Sequence, residues 1–179
     1  ELPIIRLLKD EDERARWRKR LSDPAYQPFL GDEFPAGHWG GTFREDIGSF
    51  AITGAGLLDT APFLDAASAY LRARHLLIEA PVDYAAIDPE RARWQSPQGP
   101  VEAKAVIFAE GWRAAGRNPW FGRLPYRLSK GEILTLRLPE ALPPALFNRG
   151  KWLLPRGDAA QTGSNWAWDK LDDSPSSQG

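Results

Sequence analysis

The chain has 179 residues, 42% of them hydrophobic and 26% charged, the proportions of one compact soluble domain that can fold without disulfides or metal. Its formal net charge of −1, from 23 basic and 24 acidic residues, gives no field to draw it to nucleic acid or an anionic membrane, and apolar runs such as 105–109 fall far short of the ~20 residues of a membrane span. It has no Cys, which excludes a disulfide framework, a thiolate metal site and a cysteine nucleophile, and fits a reducing, cytoplasmic setting.

The chain begins Glu1-Leu2-Pro3, with neither an initiator Met nor a signal pattern, so its start reads as an excision from a longer protein. Residues 4–8 suit a short strand. The acidic run Asp10-Glu11-Asp12-Glu13 then opens a helix. Asp10 caps it, Glu13 takes the third helical position of a capping-box-like pattern, and Arg14, Arg16, Arg18, Lys19 and Arg20 gather toward the C-terminal end, where cations suit the macrodipole. Trp17 and Leu21 share one face, and Pro24 ends the helix.

From 26 to 41 the density of Gly and Pro predicts a long irregular connection. Residues 49–53 read as a strand. Thr60 opens a second helix whose Phe63, Leu64, Ala67, Tyr70 and Leu71 recur at helical spacing and should pack on a sheet. Residues 76–79 and 82–85 read as strands, Ser96-Pro97-Gln98-Gly99-Pro100 as the end of a hairpin, and 101–109 as the strongest strand. Residues 131–138 alternate Glu132, Leu134, Leu136 and Leu138 against Ile133, Thr135 and Arg137, a strand with one apolar face. Residues 151–154 and 161–166 add strands, and the Ser-rich 172–179 reads as a polar tail or linker. Strands outnumber helices and the two do not alternate singly, so the expected fold class is α+β, a mainly antiparallel sheet with helices on one face.

Several site patterns fail on their chemistry. Residues 49–79 imitate a dinucleotide-binding unit, but Asp59 stands where the third glycine belongs, and its carboxylate would oppose a pyrophosphate at the helix N-terminus. His38 and His75 are the only histidines, and neither has the spacing of a metal pair, so no metal is expected. No serine sits in a Gly-x-Ser-x-Gly elbow. The 8 Trp, as in Trp112-Arg113 and Trp166-Ala167-Trp168, would suit base stacking. Near-zero net charge argues against a nucleic-acid partner all the same.

From about residue 40 onward, a series of motifs follows in order. Gly54-Ala55-Gly56-Leu57-Leu58-Asp59-Thr60 precedes a helix; Val106-Ile107-Phe108-Ala109-Glu110-Gly111-Trp112 is an apolar run ending in Ala-x-Gly and an aromatic; Leu124-Pro125-Tyr126-Arg127-Leu128-Ser129-Lys130-Gly131-Glu132 leads into a strand; and Lys151-Trp152-Leu153-Leu154-Pro155-Arg156-Gly157-Asp158 with Thr162-Gly163-Ser164 makes a hairpin. The series resembles the FAD-dependent oxidoreductase family of glycine oxidase and D-amino-acid oxidase over about three-quarters of the chain. It departs from that family in lacking the N-terminal Gly-x-Gly-x-x-Gly strand and the C-terminal stretch that closes over the flavin.

The resemblance implies that residues 1–171 are the substrate-binding domain of a larger flavoenzyme that oxidises an amine or amino acid at a C–N bond, inactive alone and holding FAD poorly or not at all. It implies as partners a small amine or amino acid and the FAD-binding remainder of the same chain, with no nucleic acid and no membrane. A substrate carboxylate would want an arginine fork, for which Arg44, Arg127 and Arg149 are unranked candidates beside Trp152. Lys130 is the candidate catalytic group, facing the flavin, and is equally readable as a solvated lysine at a strand start. Ala109, Gly111, Trp112 and Gly163 would border the cofactor, although both glycines also read as plain turn residues. The rival reading is a non-catalytic binding module without flavin.

Overall fold

A computed structural model of the chain describes residues 2–168, 171, 172 and 174–176. The fold divides into two compact units, one built from Glu1–Leu58 with Ser129–Gly179 and the other from Asp59–Leu128. In chain order the first unit supplies β1 (Ile4–Leu7), α1 (Glu11–Leu21), β2 (Leu30–Phe34) and β3 (Ser49–Ile52). The second unit holds α2 (Thr60–Ala73), β4 (Ile87–Asp88), β5 (Arg93–Ser96) and β6 (Gly99–Glu102). The chain then returns to the first unit with β7 (Ser129–Lys130), β8 (Ile133–Arg137), β9 (Leu146–Asn148), β10 (Trp152–Arg156), β11 (Ala159–Gly163) and β12 (Ala167–Trp168).

The first unit is organised on a seven-stranded sheet of order β2-β3-β1-β9-β10-β11-β8. Every neighbour is antiparallel except β1 and β9, which run parallel with Ile5 opposite Phe147. The period of two along β1 and β3 decides what covers each face. One face carries Phe50, on which Trp17 of α1 stacks at 4.8 Å between ring centroids, with Leu8 completing the cluster. Arg6 bonds Glu13 of α1, with Nε 2.8 Å from Oε1, and also Asn148, so the helix is fastened to the sheet by charge as well as by packing. Ile5, Leu7, Ala51 and Phe147 form the other cluster, covered by Phe34, Trp39 and Phe43. The result is α+β: a mostly antiparallel sheet with a helix packed against it.

The ends of α1 follow the expected chemistry, since the Asp10 side chain accepts from the Glu13 N–H at 2.7 Å and Arg18, Lys19 and Arg20 occupy the last turn. Between 26 and 41, however, the chain is not irregular throughout: β2 pairs with β3 there. Residues 76–79 and 82–85 are not strands, and the latter pass into a 3-10 turn at Tyr84–Ala86 before β4. The strand expected over 101–109 stops at Glu102, where the ladder with β5 ends, and Ile107 is 88% exposed. An apolar run without a neighbouring ladder does not hold strand geometry. Helix α2 forms as expected but buries none of its residues. Strand β8 forms as well, at the sheet's edge, with Leu134 and Leu136 exposed.

No helix among the described residues is long and apolar enough to cross a membrane, and no group of His, Cys, Asp and Glu among them could hold a metal ion. His38 packs on Phe34 and Trp39. His75 closes α2 in a left-handed conformation, φ 55°, with its N–H bonded to the Arg72 carbonyl. Of the expected tail, Asp173 and residues 177–179 lie outside the described residues.

Candidate functional site

A charged cleft lies where β7 passes into β8, a cavity of about 360 Å³ lined by Lys130, Glu132, Ile133, Leu134, Asp172 and Ser176 among others. The Lys130 side chain is only 15% exposed. Its Nζ lies 3.0 Å from Asp172 Oδ1 and 3.8 Å from Glu132 Oε1, and also donates to the Ser174 carbonyl. Glu132 is held more tightly still. Ser176 donates to it from its hydroxyl (2.6 Å) and its backbone N–H (2.5 Å), and the Asn165 amide donates to the same carboxylate. Those bonds, led by the Ser176 hydroxyl, hold the Glu132 carboxyl down to about 2, because each stabilises the charged form. Asn165 also accepts from the Glu132 backbone N–H at 2.8 Å, which locks the register of the two segments. The described part of the tail is therefore tied down rather than frayed.

Gly163 and Trp152 face one another across the β10–β11 ladder, with Ile133 beyond Gly163 and Asn148 beyond Trp152. A Cβ on Gly163 would lie 2.8 Å from the Glu132 carbonyl oxygen, so its small size serves the approach of β8 rather than a turn. Lys151 extends to the Ser164 carbonyl at 2.6 Å. Arg149 donates to the Arg44 carbonyl, which brings these two arginines together, but the Arg44 guanidinium itself turns to Asp46 at 3.3 Å. Arg127 belongs to the other unit.

In the second unit, residues 106–110 run beside a cleft of about 510 Å³ whose lining includes Tyr84, Trp94, Phe108, Ala109, Glu110 and Arg117. The Tyr84 hydroxyl donates to Glu110 Oε1 and Asn118 Nδ2 donates to Oε2 at 2.6 Å. These bonds lower the Glu110 carboxyl below its ordinary value, and the same bond to Glu110 raises the Tyr84 hydroxyl. Asn118, itself buried, accepts from the N–H groups of Trp120 and Phe121 at 2.9 and 2.8 Å. Gly111 has φ +61°, a left-handed turn that favours glycine, and an added Cβ there would meet nothing within 4 Å. Trp112 is half-exposed, with the Arg113 guanidinium 5.0 Å from its ring centroid.

Sequence reasoning named Ala109 and Gly111 and passed over Glu110 between them. It named Lys130 and passed over Glu132 as a site residue. The missed carboxylates stood in quoted motifs, but their partners are far along the chain: Glu132 meets residues 33 and 44 positions away, and Glu110 meets Tyr84 26 positions back.

No family model matches this sequence. Among solved structures, the fold is similar to that of glycine oxidase from Geobacillus kaustophilus, with a TM-score of 0.70 and 22% sequence identity over 100% of this chain and 51% of that chain. The chain thus spans about half the length of the structure it matches, and at this identity the likeness is one of fold.

Proposed function

We propose that this chain is the substrate-facing part of an FAD-dependent oxidoreductase of the glycine oxidase and D-amino-acid oxidase type, acting on the C–N bond of an amine or amino acid in the cytoplasm. The observation that carries the reading is a fold likeness running the whole length of this chain and half the length of a glycine oxidase, and the order of motifs from residue 40 onward supports it independently. In such an enzyme the flavin accepts the two electrons of the C–N bond and the protein supplies orientation and electrostatics.

The residues of this chain do not fit the whole cofactor. The open backbone at Gly111 leaves room for a flat group, but the Glu110 carboxylate beside it, kept ionised by Tyr84 and Asn118, opposes a phosphate. The flavin would be held by the remainder of the protein, with Ala109, Gly111 and Trp112 of the second unit at its border. On the substrate side, Trp152 is the proposed wall. Arg149 is the strongest of the three arginine candidates for a carboxylate, because one guanidinium nitrogen is anchored on the Arg44 carbonyl and a fork of further donors remains. Lys130 can serve as a catalytic cation only if it is released from Asp172 and Ser174. That capture favours the second reading, a binding module without flavin.

The test is the visible absorption spectrum of the protein expressed from the whole reading frame that contains this chain. Bands near roughly 375 and 450 nm, where a protein-held flavin absorbs, are the expected result. A folded, colourless protein that takes up no added FAD would overturn it.

A further inference from the structure

The basic residues of α1 divide by the side of the helix they occupy. Arg14 and Arg18, one turn apart, both reach Glu33 of β2, at 3.8 and 3.1 Å. Arg16, Lys19 and Arg20 are exposed and make no ion pair among the described residues. Their spacing of three and four residues makes them neighbours on one side, where like charges repel. The macrodipole favours cations in a last turn, but it does not account for three of them gathered on one side with no carboxylate to meet them.

Those side chains form one wall of a cleft of about 640 Å³, closed by Ser22, Asp23, Pro24 and Tyr26. The far wall is fixed by its own backbone: the Tyr26 and Gln27 N–H groups donate to the Asp23 carbonyl at 3.0 and 3.1 Å, and the Gln27 amide donates to the Leu21 carbonyl at 3.0 Å. Asp23 is the one acid in the cleft. Its Oδ1 accepts from the Ala25 N–H at 2.9 Å, which turns the carboxylate toward the backbone of the turn. The Arg20 guanidinium carbon lies 5.0 Å from the centroid of the Tyr26 ring, so stacking positions that cation before any ligand arrives. Three cations against one carboxylate leave two positive charges here, on a chain whose net charge is −1.

Two uncompensated positive charges, forked guanidinium donors and an aromatic edge are complementary to a dianion that carries a ring. We propose that this cleft binds a phosphate monoester of a small ring compound. Such a phosphate has a charge of about −1.5 to −2 and three acceptor oxygens. Arg16 meets it with two parallel N–H donors, Lys19 meets it as a point charge, and the ring lies against Tyr26 beside Arg20. The proposal does not rest on the flavoenzyme reading, since every residue in it belongs to Glu1–Leu58 and none is assigned to the flavin or to the oxidised substrate.

The test is the phosphorus NMR line of phenyl phosphate, which broadens on binding, recorded with the protein expressed from the whole reading frame. FAD is added to saturation, so that groups able to hold its phosphates are occupied. Phenyl sulfate has the same shape with a single negative charge, and should displace phenyl phosphate only at about fivefold higher concentration. Inorganic phosphate, which lacks the ring, should need about threefold more, and Tyr26→Leu should abolish that difference. Replacing both Arg16 and Lys19 by Gln should weaken phenyl phosphate by about tenfold, as expected for the loss of two solvent-exposed charge pairs. No broadening with roughly 10 mM phenyl phosphate, broadening that the double variant leaves intact, or equal competition by phenyl sulfate overturns the proposal. A flavin spectrum unchanged in the double variant, or a protein that is colourless throughout, separates either result from the fate of the flavoenzyme reading.

Discussion

Glu132 collects its hydrogen bonds from residues that no local pattern could assign to it, and its acidity is the consequence most open to measurement. Its folded-state value of about 2 lies below the ordinary 4.5. The unfolded chain therefore takes up the proton first on acidification. The stability that Glu132 contributes is fully present above about pH 4.5 and is lost as pH falls toward 2. Urea midpoints measured across that window should fall with acid, and in Glu132→Gln this component of the slope should be missing. Gly163, read from the sequence as a turn or cofactor glycine, owes its smallness to the strand beside it: a Cβ would press on the Glu132 carbonyl oxygen at 2.8 Å, a backbone atom that cannot swing aside. Gly163→Ala should cost about 1–3 kcal/mol, as overpacking does, read as a lowered unfolding midpoint. The same two residues mark the limit of what was legible here. The Lys130-Gly131-Glu132 motif was visible, but that Lys130 would be captured by Asp172 and Ser174 depended on a return of more than forty residues along the chain.

Helix α1 shows what local chemistry can specify by itself. Its acidic start, its cap and its basic end were all readable, because each acts within a turn of the backbone it stabilises. Replacing Asp10 by Ala should destabilise the fold by about 1 kcal/mol through the orphaned Glu13 N–H, seen as a lower thermal midpoint. Its attachment is a different matter and depends on the one residue the helix buries, Trp17, against Phe50. Trp17→Ala should cost about 3–5 kcal/mol as a large-to-small core change. Loss of well-dispersed sheet resonances with helix content largely kept would show that docking, not helix formation, had failed. Strands divided along the same line. The β10–β11 hairpin and the β5–β6 hairpin were legible because their partners are adjacent in sequence. Strand β9 was missed: it is three residues long and its place in the sheet comes from β1, far away at the start of the chain. Residues 103–109 had the composition of a strand without a ladder to join, and composition alone could not reveal that.

At the scale of the whole molecule, α+β class followed from counting and ordering elements, whereas the division into two units did not, since it depends on the chain leaving one sheet after β3 and returning to it at β8. The two units are unequally supplied with core. Both clusters of buried hydrophobic residues lie in the first. In Asp59–Leu128 the buried residues are Ala92, Ser96, Ala114 and Asn118, none with a large apolar side chain, while Phe63, Leu64, Tyr70 and Ile107 are exposed. Local opening costs little where few apolar contacts are broken, so the units should differ in amide protection. Hydrogen exchange followed by mass spectrometry should find slow amides in β1, β3, β9 and β10, and much faster exchange in α2 and in β4–β6, although α2 is a continuous fourteen-residue helix. If the chain works, as proposed, against a further part of its own protein, the full-length protein should slow exchange over α2 and 106–110 and leave the central sheet strands unchanged. Equal protection of those segments with and without the flanking sequence would mean that their exposed apolar side chains are not what that sequence covers, and would count against the two halves sharing one core.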